Sequence, residues 1–377
     1  MLVIKKLKKL FRKPNQPLVK VLVFKTRLIE NLKKFQLKYP NTAFAPVLKS
    51  NAYGHGLTEV AEILQKENIP FFVVDSLFEA NVLKSQGIKK PVLIIGYSTL
   101  GQALSIRSKN IAVTIVSMGQ LLELSKGLNK KTVCHIKIDT GMHRQGILPE
   151  DFTGAVELIK ANKNIVLEGV CSHFADADSG NQDFSTKQIE IWQKAVGVFK
   201  ENFSSIKYFH IANSAGVKYG ADLQTNVVRL GIGLYGFDQS GEVSGLKPVL
   251  ELRTIVSGIK NIKSGEFIGY NNTFQAKNEM KIATLPVGYF EGVDRRLSGK
   301  GFVKIKGQLC PILGRVSMNI ISVDVSSVSD IQVGDEAVVI STEVEDKNSA
   351  QNIAKECGTI PYEILVHIPG HLRREIV

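Results

Sequence analysis

Cysteine is scarce in this chain of 377 residues, and long apolar runs are missing. The four cysteines lie far apart without a C-x-x-C spacing, at Cys134, Cys171, Cys310 and Cys357. This argues against a disulfide framework or zinc cluster and favours a reducing cytoplasm. No stretch approaches the ~18 apolar residues of a membrane-spanning helix. No small-residue cleavage site follows the N-terminus, so we expect no signal peptide. No spacing of His, Asp and Glu indicates a metal site.

Acidic residues are outnumbered by basic ones, and the formal net charge is +13. Part of this charge lies in a predicted basic N-terminal tail, residues 1–18, where Val3, Leu7 and Leu10 would share one helical face. Such a face could touch an anionic membrane. We expect a solvated tail without membrane contact. The other basic residues are dispersed and no nucleic-acid-binding motif accompanies them, so we expect no nucleic-acid partner.

Short apolar strands alternate with helical patterns up to about Gly236. Helix-like stretches include 57–67 and 184–200, and the predicted strands are 44–49, 71–76, 91–96, 111–117, 132–139, 165–174, 208–213 and 227–233. This size and rhythm predict an α/β fold, a (β/α)8 barrel of the TIM type. A doubly wound open sheet is the alternative.

The rhythm changes after about Leu246, where strand-like segments with Gly-rich turns dominate. We therefore predict a barrel domain over 19–245 and a smaller, mainly-β domain over 246–377. The segment VKVLVF (19–24) could instead belong to the second domain.

Polar residues occur where several predicted barrel strands end. The first strand ends on Lys49 in VLKSNAYGHG, and similar positions hold Asp139, Thr140, Gly141, Arg144, His173, Asn213, Ser214 and Arg229. Catalytic residues of this fold come from the carboxyl ends of its strands. Side chains also alternate across a strand, so Lys137 points inward with His135 and Asp139. An inward lysine needs a carboxylate partner or a chemical modification.

A lysine at the barrel mouth suggests a specific chemistry. A partly desolvated lysine can lose its proton and attack a carbonyl group. An aldehyde cofactor held there as a Schiff base, with its phosphate at RLGIG (229–233) and Arg229 near a ring nitrogen, would fit pyridoxal phosphate. On spacing alone, a lysine that snorkels or forms an ion pair remains the alternative.

The chain resembles the bacterial alanine racemase family from about Phe44 to Arg374. VLKSNAYGHG resembles the family's cofactor-lysine motif, and KIDTGMHRQG (137–146) resembles its TGM-x-R loop. Further matching segments follow in the family's order, namely SHFADAD, HIANSAG, VVRLGIGLYG, GYNNTF, LPVGYFEG, GRVSMN and IPYEIL. The resemblance implies a cytoplasmic pyridoxal 5'-phosphate enzyme, built from a barrel and a C-terminal β domain. It also implies a homodimer with shared active sites.

The resemblance also implies roles for individual residues. Lys49 and Tyr270 would be bases on opposite faces of the substrate, with Tyr270 reaching the partner subunit's barrel. The cofactor would be bound by Lys49, Tyr53, His173, Ser214, Arg229, Gly231, Ile232 and Tyr362. The substrate would be positioned by Arg144 and Met318, and Lys137 would be the position that is carbamylated in many relatives. The entry path would be lined by Asp178, Tyr289, Arg295 and Arg315.

The predicted function is the interconversion of L-alanine and D-alanine, which supplies D-alanine for peptidoglycan. Alternatives are a serine or lysine racemase, a non-enzymatic pyridoxal-phosphate carrier, and a decarboxylase of the same fold. Four positions depart from the family pattern. Ser317 and Asn319 replace the common Cys and Asp, and Phe290 and Glu291 replace the usual Ala and Asp. These departures leave strict alanine specificity open.

Overall fold

The computed structural model describes residues 17–178, 183–238 and 240–377. The predicted basic tail lies outside these residues except for its last two positions. The chain divides into two compact units. One unit is Phe24–Val249, and the other combines residues 17–23 with Leu250–Val377. The first strand, β1 (Lys20–Val23), lies in the second unit.

A closed parallel barrel forms the unit Phe24–Val249. Its eight strands within the described chain are β2 (Ala43–Pro46), β3 (Phe72–Val74), β4 (Val92–Ile94), β5 (Ile111–Ile115), β6 (Thr132–Lys137), β7 (Ile165–Cys171), β8 (Tyr208–His210) and β9 (Val227–Leu230). Strands β3 to β8 pair in chain order, and β2 pairs with β9. Backbone hydrogen bonds close the ring, from Leu48 to Val73 (2.7 Å) and from Arg229 to Ala212 (3.1 Å). The predicted (β/α)8 barrel is confirmed, and the open-sheet alternative is wrong.

Amphipathic helices connect the strands of this unit. They are α1 (Lys25–Lys38), α2 (Leu57–Leu64), α3 (Leu77–Ser85), α4 (Leu100–Ser105), α5 (Met118–Gly127), α6 (Phe152–Ala161) and α7 (Asp183–Asn202). In α7 the buried residues recur every three or four positions, as in Gln188, Trp192, Ala195 and Phe199. This spacing places them on one face, which is the face that packs inward. Ser76 and Ser117 cap the amino ends of α3 and α5 by accepting backbone N–H bonds.

The second unit is built on an extended sheet. Its strands after β1 are β10 (Leu250–Ile255), β11 (Gly258–Ile262), β12 (Phe267–Ile268), β13 (Phe274–Gln275), β14 (Met280–Leu285), β15 (Phe302–Ile305), β16 (Gln308–Leu313), β17 (Ile321–Asp324), β18 (Glu336–Ile340) and β19 (Arg373–Ile376). Within the described residues the main sheet has the order β11-β14-β17-β16-β15-β18-β10-β1-β19. Helices α8 (Ala350–Cys357) and α9 (Pro361–Val366) follow β18.

The pairing of β1 answers a question that the sequence left open. β1 runs antiparallel to β10 and parallel to β19, with Val21 and Val23 fully buried. Both edges of β1 therefore find backbone partners in the β unit, and the barrel unit begins at Phe24 rather than at residue 19. Among the described residues, no helix is both long and apolar enough to span a membrane.

A tight loop follows β6 and ends at Gly146. Gly146 has a φ of +134°, and its N–H donates to the carbonyl of Val116 at 2.7 Å. The loop then returns beside the strand, because the N–H of Ile147 donates to the carbonyl of Lys137 at 2.8 Å. A Cβ at position 146 would overlap the backbone of Asp139. Only glycine combines this φ with this close approach.

Replacing Gly146 by alanine should destabilise the barrel unit more than an open glycine site does. We expect Gly146→Ala to lower the free energy of unfolding by about 2–4 kcal/mol, through backbone strain and steric overlap. Gly87→Ala is the matched control, because Gly87 has a φ of +76° but nothing within 4 Å of an added Cβ. The control should lose only about 1–2 kcal/mol. Urea denaturation measures both, and equal losses would contradict the steric argument.

Candidate active site

Lys49 lies at the carboxyl end of β2, directly before a strained turn. Ser50, Asn51, Ala52 and Tyr53 all have φ between 53° and 56°, which is a left-handed turn without glycine. Such a conformation costs about 1–2 kcal/mol per residue. Strain of this kind persists where surrounding structure holds it, and it clusters at functional sites.

Hydrogen bonds from neighbouring elements hold the turn in place. The side chain of Asn51 accepts the N–H of Leu57 at 2.9 Å, and Glu79 accepts the N–H of Ser50 at 2.7 Å. The Lys49 amine, by contrast, is half-buried and has no hydrogen-bond or ion-pair partner among the described residues. It is therefore available to a ligand.

The turn carries Tyr53 toward the end of β9. A Cβ added at Gly231 would lie 2.9 Å from the Tyr53 hydroxyl, so glycine leaves a small space there. The Ser214 hydroxyl accepts the N–H groups of Gly231 (3.0 Å) and Gly233 (3.2 Å). Ile232 begins a 3₁₀ helix, where no carbonyl of the same helix takes its N–H group. Hydroxyl and N–H groups thus converge as an anion would require.

Arg229 is a buried cation surrounded by neutral acceptors. Its Nη1 donates to Nδ1 of His210 at 2.7 Å and to the carbonyl of the same residue at 2.6 Å. Its Nη2 donates to the carbonyls of Ser172 (2.7 Å) and Ile211 (3.0 Å) and to Nδ1 of His173 (3.0 Å). Its Nε has no partner among the described residues, which leaves one donor for a ligand.

Four cations surround His173. Burial lowers the pKa of His173 well below its usual value, and Arg229, Lys137, Arg144 and Lys49 lower this pKa further. These side chains come from β6 and β9, from the segment after β2 and from the loop that follows β6, and all are close enough to act on one imidazole. The structure thus brings Lys49, Lys137, Arg144 and Arg229 together around His173. The cluster favours anionic ligands.

Lys137 is buried on β6 beside Gln145. Its amine donates to the Gln145 side-chain oxygen at 3.2 Å. Burial lowers the pKa of Lys137 to about 8, and Arg229 and Arg144 also lower it, while Cys171 and Asp139 act in the opposite direction. The predicted inward lysine therefore has a neutral amide as its direct partner, and a large part of it is unprotonated near pH 8.

Tyr270 lies at the tip of a short hairpin in the β unit. The hairpin consists of β12 and β13, and the tyrosine is 68% exposed between them. An exposed tyrosine at a hairpin tip is suited to contacting another surface. Tyr362 is half-buried near the start of α9.

Two of the predicted entry residues share a cavity in the β unit. The cavity has a volume of about 320 Å³ and is lined by Tyr289, Arg295, Asp294 and His367, among others. Arg315, a third predicted entry residue, is half-buried. Its Nε is buried and lacks a hydrogen-bond partner in the described chain. Asp178 belongs to the barrel unit and is exposed.

Two of the unusual residues bond to each other. Asn319 donates to the Glu291 carboxylate at 2.6 Å, and the other oxygen of this carboxylate accepts the N–H of Gly288 at 2.8 Å. Two backbone hydrogen bonds join the same loops. The N–H of Tyr289 donates to the carbonyl of Ser317 (3.1 Å), and the N–H of Phe290 donates to the carbonyl of Met318 (2.9 Å). The amide of Asn319 and the carboxylate of Glu291, which is one methylene longer than the usual aspartate, thus form one contact. This contact fixes the loop bearing Met318.

No chemical role was assigned to Gln145, His135 or His210 from the sequence. Gln145 bonds Lys137, and His135 and His210 lie buried behind Arg229. A signal was present for the histidines, because each occupies an inward position on its strand. For Gln145, only the fold of the loop shows where its side chain points.

Comparisons with known proteins agree with this arrangement. Residues 25–239 match the family model described as alanine racemase, N-terminal domain, and residues 249–376 match alanine racemase, C-terminal domain. Alanine racemase 1 of Clostridium acetobutylicum is 35% identical over 336 residues, covering 87% of each chain. A solved alanine racemase of Clostridium difficile 630 has a TM-score of 0.89 and 32% identity, covering 96% of each chain. The Bacillus anthracis enzyme, solved with bound L-Ala-P, has a TM-score of 0.88 and 30% identity, covering 97% of this chain and 96% of that one.

The fold and the site together define a class of enzyme. A barrel with a lysine and a buried arginine at its carboxyl rim, followed by a β domain, is the architecture of an amino-acid racemase, which is an isomerase. The chain belongs to the alanine racemase family, because both domain models match it and together span most of its length.

Replacing Asn319 by aspartate should disturb the loop that bears Met318. In Asn319→Asp two carboxylates would face each other, so we expect a loss of about 1–3 kcal/mol in unfolding free energy at pH 7. The loss should shrink as the pH falls toward 4, because one protonated carboxyl group again donates. Thermal unfolding across this pH range measures the effect. Glu291→Gln in the same chain should restore stability at pH 7, and failure of this rescue would contradict the pairing.

Proposed function

We propose that this protein interconverts L-alanine and D-alanine, uses pyridoxal 5'-phosphate, and acts as a cytoplasmic homodimer that supplies D-alanine for peptidoglycan. One observation supports this most directly. Both domain models of the alanine racemase family match the chain, and the barrel rim carries a lysine amine that has no partner among the described residues and lies among cations.

The residues at the barrel rim fit pyridoxal phosphate. Lys49 offers an amine to the aldehyde, and Arg229 offers its Nε to the ring nitrogen. Tyr53, Ser214 and the N–H of Ile232 would hold the phosphate, in the space that glycine leaves at position 231. Tyr362 would complete this set, and neutral His173 would lie beside the ring. When bound, the cofactor weakens the α C–H bond of an amino acid that is attached to it.

Two proton-carrying groups then suffice for racemisation. Lys49 would hold the α-proton on one face, and Tyr270 of the partner subunit would return a proton on the other. A hairpin tip with a 68% exposed tyrosine suits a site completed by a second copy of the chain. Each group serves as base in one direction and as acid in the other, so the two directions need the same pair.

Fixed charges orient the substrate and the ring. Arg229 stays protonated and can only donate, so the ring nitrogen beside it would remain an acceptor. Arg144 and the Met318 backbone would position the substrate carboxylate. The entry path would be lined by Asp178, Tyr289, Arg295 and Arg315, of which Tyr289 and Arg295 share one cavity.

Lys137 would be carbamylated, with the new carboxylate paired to Arg144. The amine attacks CO₂, a C–N bond forms, and one proton leaves to solvent. Only the unprotonated amine reacts, and the lowered pKa of about 8 makes that form plentiful at mild pH. The neighbouring Arg144 and Arg229 cations would stabilise the product.

One observation favours a broader racemase as the second candidate. The pair formed by Asn319 and Glu291 replaces the family's usual residues beside Met318 and changes the charge there. Serine or lysine could then compete with alanine. The non-enzymatic carrier is less well supported, because it would leave the β domain and Tyr270 without a role.

Removing Lys49 or the Tyr270 hydroxyl tests the function. We expect Lys49→Ala to abolish both the visible cofactor absorbance and the exchange of α-hydrogen. Tyr270→Phe should keep the absorbance and lose about 10²–10⁴-fold in turnover. Lys89→Ala, on an exposed lysine, is the control and should match the parent. A chiral assay of deuterium incorporation over L-alanine, L-serine and L-lysine measures activity and specificity together. Parental turnover in Tyr270→Phe would exclude this residue from catalysis.

The carbamate on Lys137 can be observed directly. With ¹³C-labelled bicarbonate we expect one slow-exchanging carbamate signal by NMR, which grows as the pH rises through about 8. Lys137→Gln should remove the signal. Gln145→Glu should also diminish it, because a carboxylate holds the amine in its charged form. Lys89→Gln should retain it. A signal that persists in Lys137→Gln would contradict the assignment.

A further inference from the structure

Arg229 raises a problem of charge balance. A buried cation is costly unless an opposite charge compensates it. Its direct partners are backbone carbonyls and two imidazoles, and none of its hydrogen-bond partners in the described chain is a carboxylate. A carboxylate of this chain that compensates the charge would have to act through another group.

A chain of two histidines leads away from the guanidinium. Arg229 can only donate, so Nδ1 of His210 accepts at 2.7 Å. Burial, together with the positive charge of Arg229, lowers the pKa of His210 well below its usual value, and the ring is neutral. Its single proton then lies on Nε2, which is 2.8 Å from Nδ1 of His135. His135 accepts this bond and carries its own proton on Nε2.

The chain ends at Glu168 on β7. Nε2 of His135 lies 3.9 Å from the Glu168 carboxylate. The pKa of Glu168 is lowered, first by the nearby His135 imidazole and also by Lys207, although burial opposes this. The lowered pKa of Glu168 means that the acid is ionised. Burial lowers the pKa of His135, so this imidazole is neutral. The ionised acid can only accept and Arg229 can only donate, so both ends impose the same order of donors and acceptors.

The local backbone is shaped to make this contact. The pairing of β6 with β7 shifts register at His135, which then lies opposite Gly169. A Cβ at Gly169 would overlap the His135 ring, so glycine is required beside Glu168. The bulge therefore places the ring over a residue without a side chain and lets it span from His210 to the acid.

Glu168 lies at the amino end of the barrel, opposite the rim that carries Lys49. It lines a cavity of about 100 Å³ with His135, Tyr208 and Lys109, and Lys207 contacts its other oxygen at 3.1 Å. These are the charged and titratable groups that face it from the neighbouring elements. The carboxylate is thus held at one end of the barrel while the cation that it balances lies at the other.

We infer that Glu168 is the counter-charge of Arg229, coupled to it through His210 and His135, and that it tunes how strongly the rim attracts anions. Glu168 is a positioning residue, because it touches neither substrate nor cofactor. The inference rests on the proposed function only for the identity of the physiological anion. Inorganic phosphate can test it in the protein without cofactor.

The substitution Glu168→Gln removes the charge and keeps the shape. The uncompensated Arg229 should then lower the Tm by about 2 °C or more. It should also tighten the binding of inorganic phosphate at the rim about 5-fold or more, measured by calorimetry. A merely structural role would weaken phosphate binding as well as stability. The test therefore depends on finding lower stability together with tighter phosphate binding. Lys207→Gln is the matched control and should stay within twofold of the parent in phosphate affinity.

Replacing a histidine between Arg229 and Glu168 gives a second, independent test. His135→Leu should tighten phosphate binding as Glu168→Gln does, and adding Glu168→Gln to it should change the affinity by less than twofold. If Glu168→Gln does not fold, His135→Leu and the charge-retaining Glu168→Asp, which should bind phosphate like the parent, still decide the question. Unchanged or weaker binding in the charge-removing variants overturns the inference.

Histidine tautomers provide a measurement that needs no variant. In ¹⁵N-histidine-labelled protein without cofactor, both His135 and His210 should carry their proton on Nε2. A proton on Nδ1 of either ring would overturn the proposed order of donors and acceptors. These results stand apart from turnover, so a protein without racemase activity could still support the inference, and an active racemase could still refute it.

Discussion

The burial of the Arg229 guanidinium is the interaction on which the rest of the barrel site depends. A permanently charged group can be buried only where its donors are met, and here backbone carbonyls near the ends of β7 and β8 accept from it together with two imidazoles. Burial lowers the pKa values of His173, His210 and Lys137, and the charge of Arg229 lowers all three further. The buried cation thus adds to the effect of burial on the protonation of three neighbouring side chains.

Near this cation the backbone is strained where it meets the site. The left-handed turn after Lys49 is unfavourable for four residues without glycine. It is maintained by the side chains of Asn51 and Glu79, which accept the N–H groups of Leu57 and Ser50. The loop ending at Gly146 is shaped in the same manner. Rigid strands and helices offset this local cost, so that side chains from separate strands point at one small space.

The β unit shows how departures from a family pattern can depend on each other. Aspartate at position 319 would repel the carboxylate of Glu291, whereas the amide donates to it at 2.6 Å. The two unusual residues therefore form a compatible pair, and the backbone bonds of Tyr289 and Phe290 hold the same two loops together. The unusual residues change the charge of this region without loosening it.

The sequence by itself determined the architecture and singled out the polar positions at the ends of the barrel strands. Strand periodicity located all eight barrel strands within a few residues, and the glycine-rich motifs marked Lys49, Ser214 and Arg229. These features are local, since they depend on alternation and turn residues. Only the tertiary structure decided that β1 pairs in the β unit, that Gln145 bonds Lys137, and that Asn319 bonds Glu291. It also decided that His135 lies between His210, at 2.8 Å, and Glu168, at 3.9 Å. Each of these contacts joins side chains or strands whose distance depends on how the whole chain packs, which no local pattern encodes.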